Sequence, residues 1–228
     1  MNFQKIREQL IPDDHCPRII GREYMLSSAV LIPLILNQKE PKGCPSILFQ
    51  KRAPHIRQGG EICFPGGRFD KEKDQSFLMT ALRETSEEIG IQTSHIDVLG
   101  STGTLVTPMN ILVQPYLGVL QIQDISELKA NREEVEALFT IPLSWFAENP
   151  PTQFKVPIRA HPYSEDPLTG EVEYHFPTDV MKLPERYHHP WEGDSRHRIW
   201  AYSTTHGVLW GITAQILRDT LPLLLNNE

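Results

Sequence analysis

The sequence predicts an α/β fold, and three observations carry that reading. The runs SSAVLIPLIL (27–36) and SILFQK (46–51) are short, apolar and rich in branched residues, as buried strands are. Over 74–89, Phe77, Leu78, Ala81, Leu82, Thr85 and Ile89 recur at helical spacing. Over 208–225, Leu209, Ile212, Ile216, Leu217 and Leu221 do the same. Helices with one apolar stripe, interspersed with apolar strands, bury that stripe against a sheet.

The remaining elements follow in chain order. In MNFQKIREQL, Phe3, Ile6 and Leu10 are spaced as in a short amphipathic helix, unlike a secretory apolar core. The strands over 27–36 and 46–51 are expected to pair as neighbours across the turn-rich NQKEPKGCP. RAPHIRQGG (52–60) reads as a basic loop, EICF (61–64) as a short strand, and Gly66-Gly67 as a turn whose backbone can approach its neighbours closely. Asp74 or Ser76 can cap the helix over 74–89, and Gly90 is placed to end it. Strands are expected at 97–99, 103–106 and 110–120, a helical turn or short strand at 133–138, and a helix from Pro142 to about Asn149.

A chain of 228 residues suits a single domain. Within it, about 151–198 reads as an irregular insertion rich in proline and histidine, in which GEVEYHF (170–176) alternates like a hairpin strand. Without cysteines at ligand spacing its histidines do not read as a zinc site, and a substrate lid or dimer arm is the expectation. The net charge of −7 argues against a nucleic-acid-binding protein, which needs a basic surface. The apolar run 29–36 is broken by Pro33 and is too short to span a bilayer, so no membrane association is expected. Cys16, Cys44 and Cys63 are odd in number and form no CxxC pair, which reads as reduced thiols in a cytoplasmic protein.

Chemistry is expected in the helix over 74–89. Glu84, Glu87 and Glu88 stand at i, i+3 and i+4 and share one face, where like charges repel. A solvated acidic face is the bland explanation. A hard divalent cation, Mg²⁺ or Mn²⁺, is the other, since such ions take carboxylate and water oxygens and share them with substrate phosphates. The adjoining glycine turn and basic loop favour the cation. Arg83, i, i+4 to Glu87, is placed to orient carboxylates.

The stretch 67–91 resembles the Nudix box, G-x5-E-x7-R-E-U-x-E-E-x-G-U with U a bulky aliphatic residue, with Arg83, Glu84, Glu87, Glu88, Gly90 and Ile91 in register. It departs from the pattern in two places. The segment from Gly67 to Arg83 is two residues longer, and Thr85 stands at the first aliphatic position. Counting back from Arg83 puts Gln75 where the first glutamate belongs, with Asp74 and Glu72 as nearby substitutes. KRAPHIRQGGEICFPGG is similar to the motif of the coenzyme A pyrophosphatase branch at Arg52, Ala53, Arg57, Gly60 and 64–67, with one residue fewer between Arg57 and Gly60.

The resemblance implies a Nudix fold, an α/β/α sandwich with a mixed β-sheet, that hydrolyses a nucleoside diphosphate derivative with Mg²⁺ or Mn²⁺. It implies Glu84, Glu87, Glu88 and Gly67 as metal-binding, Glu84, Glu87 and Arg83 as catalytic, and Arg52, Arg57 and Gly66 as substrate-binding. A downstream base would be Glu134, with Glu133 and Glu136 as alternatives. The substrate it implies is coenzyme A or acyl-coenzyme A, cleaved to 3′,5′-ADP and (acyl-)phosphopantetheine. ADP-ribose, a dinucleotide or a deoxynucleoside triphosphate is the alternative, and a non-catalytic ligand sensor a third reading. Nudix proteins often dimerise, so a homodimer is the partner expectation.

Overall fold

The structure, a computed structural model, describes residues 2–10, 19–36 and 45–225, with backbone alone at 192–195. Its elements are α1 (Phe3–Gln9), β1 (Leu26–Leu36), β2 (Pro45–Arg52), β3 (Ile62–Cys63), β4 (Gly66–Arg68), α2 (Phe77–Ile89), β5 (Ile96–Ser101), β6 (Leu105–Val106), β7 (Ile111–Leu120), β8 (Val135–Pro142), α3 (Leu143–Glu148), β9 (Thr152–Ala160), β10 (Tyr163–Glu165), β11 (Val172–Tyr174), β12 (Trp191–Thr204), β13 (Gly207–Trp210) and α4 (Gly211–Leu225). They form two compact units, Met1–Thr152 with Trp200–Glu228, and Gln153–Ile199.

The first unit is built on a sheet of order β3-β2-β1-β7-β5, with β4 added to β1, β6 to β7 and β8 to β2. β1 and β7 run parallel from Leu26↔Ile111 to Ile35↔Leu120, and the other pairs of this sheet are antiparallel, so the sheet is mixed. Alternation along the strands sorts the side chains to two faces. Ile32, Leu34, Ile47 and Phe49 join Ile6 of α1, Leu143 and Phe146 of α3, and Leu217 and Leu224 of α4. Leu31, Ile35 and Leu48 join Phe77, Ala81 and Ile89 of α2. Each such fully buried leucine, isoleucine or phenylalanine side chain stabilises the fold by about 1.5–3 kcal/mol. The layers are helix, sheet, helix: the α/β/α sandwich.

Three expectations are refined. The segment over 133–138 enters strand β8, which pairs with β2 from Ser46↔Pro142 to Arg52↔Val135. The helix expected over 208–225 begins at Gly211, because 207–210 is β13, paired with β12 from Ala201↔Trp210 to Thr204↔Gly207. Its period is two, with Leu209 buried between exposed Val208 and Trp210. The cap of α2 is Ser76, whose hydroxyl accepts from the Met79 N–H, while Gly90 ends the helix at φ 71°. Cys16, Cys44, the turn before β2 and the final residues lie outside the described residues.

In the second unit β10 and β11 form a hairpin from Tyr163↔Tyr174 to Glu165↔Val172, as the alternation at 170–176 suggests. Trp191 packs edge-on to both Phe176 and Tyr187. Three of its histidines have separate partners: His175 with the Ser164 hydroxyl, His188 with Asp179, and His189 with Glu185. Among the described residues no helix is long and apolar enough to cross a membrane.

Candidate active site

The site is set by the antiparallel pairing of β4 with β1 and by the helix that follows. Gly66 and Gly67 lie opposite Val30 and Ala29. Gly66 has φ +150°, and a Cβ there would run into the Ala29 carbonyl. A Cβ on Gly67 would fall 2.6 Å from both carboxylate oxygens of Glu84. The glycine turn therefore lies flush against that carboxylate, and a side chain at Gly67 would push it aside.

Arg83 organises one side of the site. Its Nε and Nη2 donate to the two oxygens of Asp74, each at 2.9 Å, and its Nη1 donates to Glu84 (2.9 Å) and Glu87 (3.2 Å). Asp74 is buried and also accepts from the Thr80 hydroxyl and the Asp70 N–H. The Arg83 guanidinium holds the Asp74 carboxyl down at about 2. Asp74 thus partners Arg83 in the lengthened loop, whereas Gln75 and Glu72 are exposed.

The other side is drier. Glu88 is 3% exposed and accepts from the Gly66 N–H at 2.8 Å. Burial pushes its carboxyl up to about 7, against the opposing pull of the Gly66 N–H and the Gln50 amide. Glu84 is raised as well, chiefly by burial and less by the charges of Glu87 and Glu134, with Arg83 opposing. Glu87 is the outermost of the three, its side chain 56% exposed.

The downstream acidic loop is tied to the end of α2. Lys129 N–H donates to the Ile89 carbonyl and Asn131 N–H to the Glu88 carbonyl, while the Glu134 carbonyl accepts from Ala53 N–H. The charge of Glu134 is felt at both Glu84 and Glu88. Glu133 faces His55, and Glu136 pairs with Lys51 at 2.9 Å. In the basic loop, Arg52 donates from Nε to the Arg57 carbonyl and sits beside Cys63, while the Arg57 side chain is exposed.

Gly66, Gly67, Arg83, Glu84, Glu87, Glu88 and Glu134 are therefore gathered at one place, with Arg52 behind them. A cleft of about 570 Å³ runs from Glu84 and Arg83 along 68–73. The residues that sequence reasoning passed over are Gln50 and Cys63, which lie behind Glu88. A signal existed for Gln50: it shares a strand face with Leu48, a polar residue at a position where the pleat points inward.

The donors fit a hard divalent cation: carboxylates on one helix side, two of them raised by burial, against a glycine turn in which Gly66 is backed by the Ala29 carbonyl. As they stand, Glu84 and Glu87 are drawn to Arg83 and Glu88 to Gly66. No three His, Cys, Asp or Glu side chains among the described residues are already gathered as ion ligands.

The NUDIX domain family matches residues 25–160, more than half of the chain. The chain belongs to the Nudix hydrolase family. Nudix enzymes work with divalent metal ions on small nucleotide substrates. Nudix hydrolase 3 of Caenorhabditis elegans is 36% identical over 137 residues, covering 58% of this chain and 55% of its own length. This Nudix chain thus spans little more than half of that relative. An uncharacterized Nudix hydrolase NudL of Enterobacter sp. (strain 638) is 31% identical over 221 residues, covering 95% of this chain and 88% of the relative. Among solved structures, the Nudix hydrolase RenU of M. Smegmatis is 20% identical with a TM-score of 0.43, over 60% of this chain and 81% of its own.

Proposed function

We propose that the chain is a divalent-metal-dependent diphosphatase that cleaves coenzyme A or acyl-coenzyme A to 3′,5′-ADP and (acyl-)phosphopantetheine. The observation that carries the chemistry is the buried Glu88 carboxylate, braced by the Gly66 N–H beside a Glu84 that lies flush on Gly67. Glu84, Glu87, Glu88 and the Gly67 carbonyl would hold the cation. When bound it would neutralise the diphosphate oxygens and make a water more acidic.

The chain's own groups supply the rest. Glu134, exposed and linked to α2 through the 129–131 backbone, is the candidate to take the proton from the attacking water. Arg83, committed to Asp74, Glu84 and Glu87, orients carboxylates rather than touching substrate. Arg52 and Arg57 stand in the basic loop whose motif resembles the coenzyme A branch, and they would meet the substrate's phosphates, the 3′-phosphate among them.

A second reading keeps the chemistry and changes the substrate to another nucleoside diphosphate derivative. The longer loop at 68–75, which lines the cleft with Arg68, Lys71 and Lys73, favours it. Incubation with Mg²⁺ or Mn²⁺ against coenzyme A, acyl-coenzyme A, ADP-ribose and NADH, with products separated by chromatography, tests both. Coenzyme A and its acyl ester are expected to be cleaved fastest. Rapid cleavage of ADP-ribose or NADH with coenzyme A left intact would replace the substrate and keep the diphosphatase.

A further inference from the structure

Four aromatic rings run as one stack from the glycine turn to the surface of the first unit. Phe64, two residues before Gly66, stacks on Phe49 with 5.1 Å between ring centres, Phe49 on Phe139 at 6.0 Å, and Phe139 on His206 at 4.0 Å. Successive ring planes differ by 23°, 24° and 14°. The three phenylalanines are buried, whereas His206 is exposed and no other ring lies on it among the described residues. The column ends in an open ring.

That ring is held in place. His206 lies in the turn between β12 and β13, where its backbone N–H donates to the Thr204 hydroxyl at 3.1 Å and that hydroxyl donates to the Gly207 carbonyl at 2.7 Å. A Cβ on Gly207 would lie 3.6 Å from the Ile62 side chain, so the turn rests on β3. β3 in turn closes the basic loop: Ile62 stands opposite Lys51, the Arg52 N–H donates to the Glu61 carbonyl, and the Gly60 N–H donates to the Arg52 carbonyl. The open ring therefore stands next to the loop whose arginines would meet the phosphates of the nucleotide half of the substrate. If Phe139 needed only a cover, an aliphatic side chain would bury more apolar area than an imidazole does. What the imidazole adds is a flat π face, parallel to the rings beneath it, on which a nucleobase can stack.

We propose that His206 is a binding residue for the substrate's nucleobase, with the adenine stacked on the outer face of its ring as the next member of the column while the basic loop holds the phosphates. The proposal rests on the nucleotide reading above, though not on the choice of coenzyme A, since ADP-ribose and NADH carry the same base.

The test is binding of 3′,5′-ADP and of AMP to the full chain by titration calorimetry, on wild type, His206→Ala, His206→Leu and His206→Phe, with melting temperatures recorded in parallel. His206→Leu covers Phe139 without offering a π face, and His206→Phe restores the face. Affinity for both nucleotides is expected to fall about tenfold in the alanine and leucine variants and to stay within about twofold of wild type in His206→Phe. In turnover of coenzyme A, KM should rise by a similar factor in His206→Leu with kcat unchanged. A role confined to covering Phe139 predicts a lower melting temperature in His206→Ala alone and unchanged nucleotide affinity in His206→Leu. Wild type binding both nucleotides, with His206→Leu binding them equally well, overturns the role of His206 and leaves the diphosphatase standing. Absence of binding of either nucleotide to wild type overturns the nucleotide reading and this one with it.

Discussion

The Arg83 side and the Glu88 side of the site use the same carboxylate chemistry in opposite ways. Around Arg83 the charges are matched: one guanidinium spans Asp74, Glu84 and Glu87, and Asp74 has two further donors. Around Glu88 there is a backbone N–H, an amide with its oxygen unpaired, and a thiol pushed up to about 11 by burial. A saturated cluster holds shape. An undersaturated one, kept near neutrality by burial, has a use for positive charge from elsewhere.

The comparison breaks most readily at Glu88. Glu88→Gln keeps the volume and removes the charge, and diphosphatase turnover is expected to fall by about 10²–10³-fold. Glu87→Gln should lose a comparable factor, and undiminished turnover in it would remove Glu87 from the metal site. On the saturated side the larger effect is on stability. Asp74→Ala leaves Arg83 without its buried partner and should cost about 3 kcal/mol, read by calorimetry as a melting temperature lower by about 6–12 °C. Since the folded Asp74 carboxyl is lowered from 3.8 to about 2, its contribution is complete above pH 3.8 and disappears as pH falls through 2. A loss in Asp74→Ala below about 1 kcal/mol would place Arg83 outside the scaffold.

Proton dependence sharpens the contrast. Glu88 is raised from 4.5 to about 7, so the metal-free folded chain binds its proton more tightly than the unfolded chain and loses stability as pH rises from 4.5 to 7. The cation needs the ionised form, so Mn²⁺ affinity should fall about tenfold between pH 8 and 6. A flat profile by titration would detach Glu88 from the metal. The smallest expected effect lies outside both clusters: Arg52→Ala should raise KM for coenzyme A by about tenfold with little change in kcat, and much less for dephospho-coenzyme A.

The helical half of the box was legible because periodicity, a glycine stop and three glutamates at i, i+3 and i+4 are local properties. The sandwich was legible through its buried strands. The partner of Arg83 was not, since Asp74 lies nine residues away, before the cap of the helix, and Glu72 and Gln75 compete for the place by counting alone. Gln50 and Cys63 were hidden for another reason. Their meeting with Glu88 depends on the register of β2 with β3, Gln50↔Cys63, and on which sheet face α2 covers. The end of α4 nearest β13 was misread because Leu209 satisfies both a helical and a strand period.

The acidic residues of α2 stand at its C-terminal end, with no acidic residue in the first turn and no basic one in the last. That is the negative end of the helix, where carboxylates are disfavoured and free carbonyls add to the repulsion. The Glu88 and Ile89 carbonyls are taken instead by the amides of Asn131 and Lys129, some forty residues further along the chain. The helix that bears the signature is thus completed by a distant segment, and a peptide cut to 67–91 would lack the donors that quiet its end. What reads as a self-contained word in the sequence is, in the folded chain, half of a joint.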